Sequence, residues 1–164
     1  PLWTIASSGG LAPFLGANTF GTQILPCPSC SLDIPPGFLI LHPEITGTLS
    51  VLRWTAPAAG TYTISGLFQG VDFQPHPTTD THILQNGIAL YSNFLNTFAV
   101  PQNFSLAVQL DAGDTIDFAV GSGGDFLSND STGLVANINP VPEPGTLVLV
   151  SMGLASLVRV RRHK

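Results

Sequence analysis

Phe104, Leu106, Val108 and Leu110 recur at every second position, as do Ile116, Phe118 and Val120, with the turn Asp111-Ala112-Gly113-Asp114 between them. A period of two places alternate side chains on one face of an extended strand, so both runs read as strands with one face buried. Gly113 can take the left-handed backbone that a tight reversal needs. Thr61 to Phe68 alternates in the same way, with Tyr62, Ile64, Gly66 and Phe68 on one face and Thr61, Thr63 and Ser65 on the other. No window before residue 145 carries an apolar period of 3.6, so helices are not expected there.

The remaining pieces follow the same pattern. Val51-Leu52-Arg53-Trp54-Thr55 is β-branched and aromatic, and Ala56-Pro57-Ala58-Ala59-Gly60 breaks it. Asp80 to Gln85, Asn86-Gly87 and Ile88 to Ser92 predict a hairpin, because Asn-Gly supplies the two positive φ angles of a type I′ turn. Leu134 to Ile138 closes the set. Seventeen Gly and fourteen Pro in 164 residues punctuate these short runs. Together they predict an all-β, antiparallel, jelly-roll-like sandwich over residues 48–138. Residues 1–47 read as an irregular lead-in with one or two strands, around Gln23-Ile24-Leu25 and Phe38-Leu39-Ile40-Leu41.

Charge limits the partners. Only 9% of residues are charged, against about 25% in an ordinary domain. Four of the five basic residues (Arg159, Arg161, Arg162, Lys164) fall in the last six positions. Residues 1–158 hold one base, Arg53, against ten acids, a balance of −9. Such a body offers phosphate backbones no attraction, and no nucleic acid partner is expected.

The C-terminus is a different object. Asn139-Pro140-Val141-Pro142-Glu143-Pro144 permits neither a regular ladder nor a helix interior, so residues 139–145 predict an extended linker. Gly145 to Val158 is uncharged over fourteen residues. A single short hydrophobic helix there would span about 21 Å, below the roughly 30 Å hydrocarbon core. Local thinning, or snorkelling by Arg159, closes the gap. The cluster from Arg159 to Lys164 would stay cytoplasmic and the sandwich would lie outside.

Val141-Pro142-Glu143-Pro144-Gly145-Thr146, the apolar segment and the terminal Arg cluster resemble the PEP-CTERM sorting signal of Gram-negative bacteria over residues 141–164. That resemblance implies an exported protein with an exosortase, a membrane cysteine protease, as partner, cutting near Pro142-Glu143-Pro144. It also implies a membrane-anchored precursor and a mature protein in the cell envelope or secreted. Pro1 to Gly10 has no basic n-region and no sustained apolar stretch. With no initiator Met, the expectation is that the export signal precedes the sequence given. The stretches Val51–Ile64 and Leu110–Phe118 are similar to many exported bacterial β-sandwiches, which implies a fold and names no ligand.

Several residue sets carry candidate chemistry. Cys27 and Cys30 form one C-x-x-C without a second pair, which reads as a local disulfide or two thiols in a Pro-rich loop. His76, Asp80 and His82 lie within seven residues, and Asp80 and His82 share a face if extended. With no third ligand adjacent, a solvated loop is the preferred reading. Asp125, Asn129 and Asp130 are oxygen donors on a flexible loop, as Ca²⁺ requires. Their spacing is not that of an EF-hand, and the same residue types make ordinary turns. No cofactor is expected.

Asp111, Asp114 and Asp117 do not converge as a two-carboxylate hydrolase needs. There is no G-x-S-x-G, and no His has an evident Ser and Asp partner, so no enzyme is expected. The functional expectation is a non-enzymatic protein of the cell surface or extracellular matrix. The alternative is a carbohydrate-binding module acting on extracellular polysaccharide through Tyr91, Phe94 and Phe98. Trp54 and Tyr62, in strong strands, are assigned to the core.

Overall fold

The computed structural model describes residues 2–4, 13–25, 31–44, 47–125 and 129–142. Among these residues ten strands make two antiparallel sheets and no helix occurs. The strands are β1 (Leu2–Thr4), β2 (Phe14–Ala17), β3 (Leu39–His42), β4 (Ser50–Thr55), β5 (Gly60–Gly70), β6 (Thr79–Gln85), β7 (Ile88–Leu95), β8 (Gln102–Leu110), β9 (Thr115–Gly121) and β10 (Thr132–Pro140). One sheet has the order β1-β2-β3-β10-β5-β8 and the other β4-β9-β6-β7.

The alternating residues do what their period requires. Tyr62, Ile64, Phe68, Phe104, Val108, Leu110, Ile116, Phe118 and Val120 all face the space between the sheets, each less than a tenth exposed. Trp54 packs edge-on against Tyr62, with ring centroids 5.3 Å apart. β10 pairs with β5 over nine residues, from Thr132↔Gly70 to Pro140↔Tyr62, and forms the middle of the larger sheet.

Two boundaries differ from the expectation. The N-terminal region supplies three strands rather than one or two, and they are integral to the sandwich. β3 pairs with β10 and β2 with β3, so Ile40 and Leu41 are buried. Short runs that look weak alone become strands because β10 offers them an unpaired edge. The expected linker also starts late. Asn139 and Pro140 continue the ladder opposite Thr63 and Tyr62, and Val141 N–H donates to Thr61 O at 2.8 Å. Pro is tolerated at such a strand end, where one missing donor costs little. The expected C-terminal helix, Glu143, Pro144, Arg159, Arg161, Arg162, Lys164, Cys27 and Cys30 lie outside the described residues.

The β6–β7 hairpin positions the surface discussed next. Asn86 (φ 50°) and Gly87 (φ 82°) form its turn. Asn86 Oδ1 accepts from Thr115 N–H at 2.8 Å, and its Nδ2 donates to Asp114 at 2.9 Å, tying the turn to β9. Between Ile83 and Leu84 the register slips. Gln85 pairs with Ile88 and Leu84 with Ala89, but Ile83 pairs with Tyr91 and His82 with Ser92. The extra residue in β7 reverses which of its side chains face inward.

Candidate functional site

The outer face of the β4-β9-β6-β7 sheet collects the sandwich's polar chemistry. Asp80, His82 and Leu84 point outward from β6, since Thr79, Thr81 and Ile83 between them are buried. Across the slipped register Asp80 faces Phe94 and His82 faces Ser92. On the other side Asp80 faces Gly121. A Cβ at Gly121 would lie 2.4 Å from Asp80 Oδ1, so only glycine lets this carboxylate lie over β9.

Three side chains form a line. His82 Nε2–H donates to Asp80 Oδ2 at 2.6 Å, and Ser92 Oγ–H donates to His82 Nδ1 at 2.9 Å in the neutral tautomer. Gly123 N–H donates to Asp80 Oδ1 at 2.7 Å. Gly123 has φ 60°, and a Cβ there would lie 2.0 Å from Thr78 O. Burial acts to raise the Asp80 carboxyl, but the hydrogen bonds from His82 and Gly123 outweigh it and hold it below the ordinary carboxylate range. No His has an evident Ser and Asp partner in the sequence, and the structure supplies both for His82.

The order Asp–His–Ser is that of a nucleophile relay, but its setting is a sheet surface. Ser92 is exposed in mid-strand, without the sharp strand-to-helix turn that projects a hydrolase nucleophile. Asp80 at one end of the line lies opposite Phe94 in the β6–β7 register, and Phe94 is 49% exposed. One strand pair away, Arg53 Nε and Nη2 donate to the two carboxylate oxygens of buried Asp117 at 2.7 and 2.8 Å. The guanidinium is thereby raised above its usual value, by the hydrogen bonds first and the charge second.

The other candidate residues separate. Tyr91 turns its ring inward: half-buried, it stacks on Phe68 with centroids 6.1 Å apart and packs against the core. Phe98 is half-buried and packs edge-on against Phe73. Of the three proposed glycan contacts, only Phe94 lies on the open face. His76 is exposed in its loop and forms no metal-binding group with Asp80 and His82. Asp111 and Asp114 stay at the turn before β9, where Asp111 N–H donates to Asp114 at 2.9 Å, so no convergent acid pair forms with Asp117.

Asp125, Asn129 and Asp130 fall at one end of the sandwich, in the segment leading into β10. Asp130 is 1% exposed. Its Oδ1 accepts from Thr78 N–H at 3.2 Å, and the Thr78 hydroxyl donates to Asp125. Burial foremost, with Asp125 and Asp72 adding repulsion, pushes the Asp130 carboxyl up to about 6, against the pull of Thr78 N–H and His42. Beside it, Asp72 accepts from Ser31 Oγ and Ser131 N–H at 2.7 and 2.8 Å, and Asn129 Nδ2 donates to Ser31 Oγ at 2.8 Å. Among the described residues no three His, Cys, Asp or Glu side chains form a metal-binding group.

Residues 140–162 match the PEP-CTERM protein-sorting motif, which indicates an exported cell-envelope or secreted protein. The chain is therefore a β-sandwich carrying a C-terminal sorting signal, and the signal begins at the last residue of β10. No curated protein sequence matches the chain. Among solved structures it is similar to a family 35 carbohydrate-binding module from an environmental isolate, at 20% identity and TM-score 0.41, over 79% of this chain and 98% of that one. It is also similar to a family 35 module of Cellvibrio japonicus Abf62, at 15% identity and TM-score 0.41, over 77% and 90%. Pika GITRL aligns at 22% identity and TM-score 0.37, over 56% and 74%. Likenesses this distant assign neither a ligand nor an activity.

Proposed function

We propose that this is a non-enzymatic protein of the cell surface or extracellular matrix, whose C-terminal signal is cut by an exosortase-type membrane protease near Pro144. The observation that carries this reading is the meeting of fold and signal at Pro140. β10 holds the chain in the sandwich up to that residue, and Val141 and Pro142 are exposed beyond it. A protease needs extended, accessible backbone, and the prolines on either side of Glu143 keep that stretch out of any neighbouring element. The uncharged segment Gly145–Val158 enters the membrane, and the basic cluster resists crossing, so export halts with the Pro-Glu-Pro element outside.

Replacing Arg159, Arg161 and Arg162 with Ser tests the stall. In an exosortase-containing host the variant should be poorly retained and poorly cleaved. Wild-type processing of the triple variant would contradict the proposed mechanism.

A second reading is favoured by Phe94. An exposed ring bordered by Asp80, His82 and Ser92 offers a sugar an apolar platform with hydrogen-bonding groups at its edge. The partner under this reading is extracellular polysaccharide. A glycan array with the full chain checks it: saturable binding lost in both Phe94→Ala and His82→Ala supports the face as a site. Binding that survives both substitutions excludes it.

A further inference from the structure

The end of the sandwich around Asp130 holds an anomaly that the outer face does not explain. Asp130 Oδ2 is buried and has no hydrogen-bonding partner, while Oδ1 has one, the Thr78 N–H. A buried carboxylate oxygen left unpaired is costly, and native structures resolve such cases with an ordered water, an ion or a proton. Thr78 gathers a second carboxylate onto the same spot, since its hydroxyl donates to exposed Asp125. Buried Asp72 adds a third negative charge nearby, although its two oxygens are satisfied by Ser31 and Ser131. No Lys or Arg of residues 1–158 can compensate, because the only one is Arg53, which is engaged by Asp117. The nearby imidazole, His42, has its Nδ1 at 2.8 Å from Pro43 O.

We propose that Asp130 and Asp125, brought together by Thr78, bind a divalent cation, Ca²⁺, with the Asp130 Oδ2 as its anchoring ligand. The chemistry selects a hard cation: the charged donors are carboxylate oxygens, and the Thr78 hydroxyl lies beside them. Ca²⁺ accepts such mixed and irregular oxygen sets, whereas Mg²⁺ demands a regular octahedron. Two carboxylates completed by neutral oxygens and water make a weak site, with Kd in the range of about 10⁻⁴–10⁻³ M that extracellular modules use.

Calcium titration of the full chain in mild detergent, at neutral pH, tests this by calorimetry and thermal unfolding. At about 10 mM CaCl₂, some 10- to 100-fold above that range, the melting temperature should exceed that in EDTA by roughly 3–10 °C. Asp130→Asn and Asp125→Asn should each weaken the calcium response at least about tenfold. Asp125 is exposed, so its variant carries the test if Asp130→Asn does not fold. Absence of both heat and thermal shift would overturn the proposal. So would an equal shift with MgCl₂ or with NaCl of matched ionic strength, or a calcium response unchanged in Asp125→Asn.

Discussion

The Tyr91 ring lies over Phe68, with centroids 6.1 Å apart and planes 17° from parallel, and its centroid is 6.0 Å from that of Phe104. Tyr91 therefore fills the space between the sheets, while Phe94 on the same strand stands in solvent. Tyr91→Ala should lower stability by about 2–4 kcal/mol, at the low end of aromatic truncations because the residue is only half-buried. Phe94→Ala should cost less than about 1 kcal/mol. Urea denaturation of the two variants measures the difference, and equal losses would contradict the assignment of faces.

Gly66 of β5 lies opposite Ala136 in the ladder with β10. A Cβ on it would lie 1.9 Å from Val135 O and 2.8 Å from the tip of the Phe104 ring. The ring can turn, but the carbonyl belongs to the central ladder and cannot move without disturbing β10. Gly66→Ala should thus destabilise by about 3 kcal/mol or more, above the ordinary cost of overpacking. Gly113→Ala is the control for general loss of glycine. Its Cβ would meet nothing within 4 Å, so only the strain of φ 94° is felt. A smaller loss for Gly66→Ala than for Gly113→Ala would show that β10 yields easily.

Acid should loosen the outer face through Asp80. Its folded carboxyl titrates below the ordinary value, so its contribution is fully present above the unfolded pKa of about 3.9. That contribution is lost as pH falls through the lower folded value. Melting temperatures measured from neutrality down to about pH 2.5 should fall on the acid side, and Asp80→Asn should flatten that fall. An acid limb unchanged in Asp80→Asn would remove the carboxylate from the account.

Most of the fold was legible because its strands bury one face, and a period of two survives in the sequence. Phe104, Val108, Ile116 and Phe118 could be placed inward without knowing their partners. β2 and β3 were harder: Phe14–Ala17 and Leu39–His42 are four residues each, and their pairing depends on β10, about ninety residues later than β3. The candidate face was hidden by one event, the slip between Ile83 and Leu84. An unslipped Asn-Gly hairpin would have set Tyr91 opposite His82, outside, and turned Phe94 toward the core. The slip brings Ser92 to His82 instead, and no local pattern announced it. In the sequence Asp130 is one of several loop oxygens, because its burial arises from elements far along the chain.

Mass spectrometry of the mature C-terminus decides whether the tail is removed. Protein should be recovered from the surface and medium of an exosortase-containing host, and its terminal peptide sequenced. The terminal peptide should end within a few residues of Pro144, with Gly145 to Lys164 absent. Surface-located protein that still ends at Lys164 would contradict it and leave the hydrophobic segment as a permanent anchor.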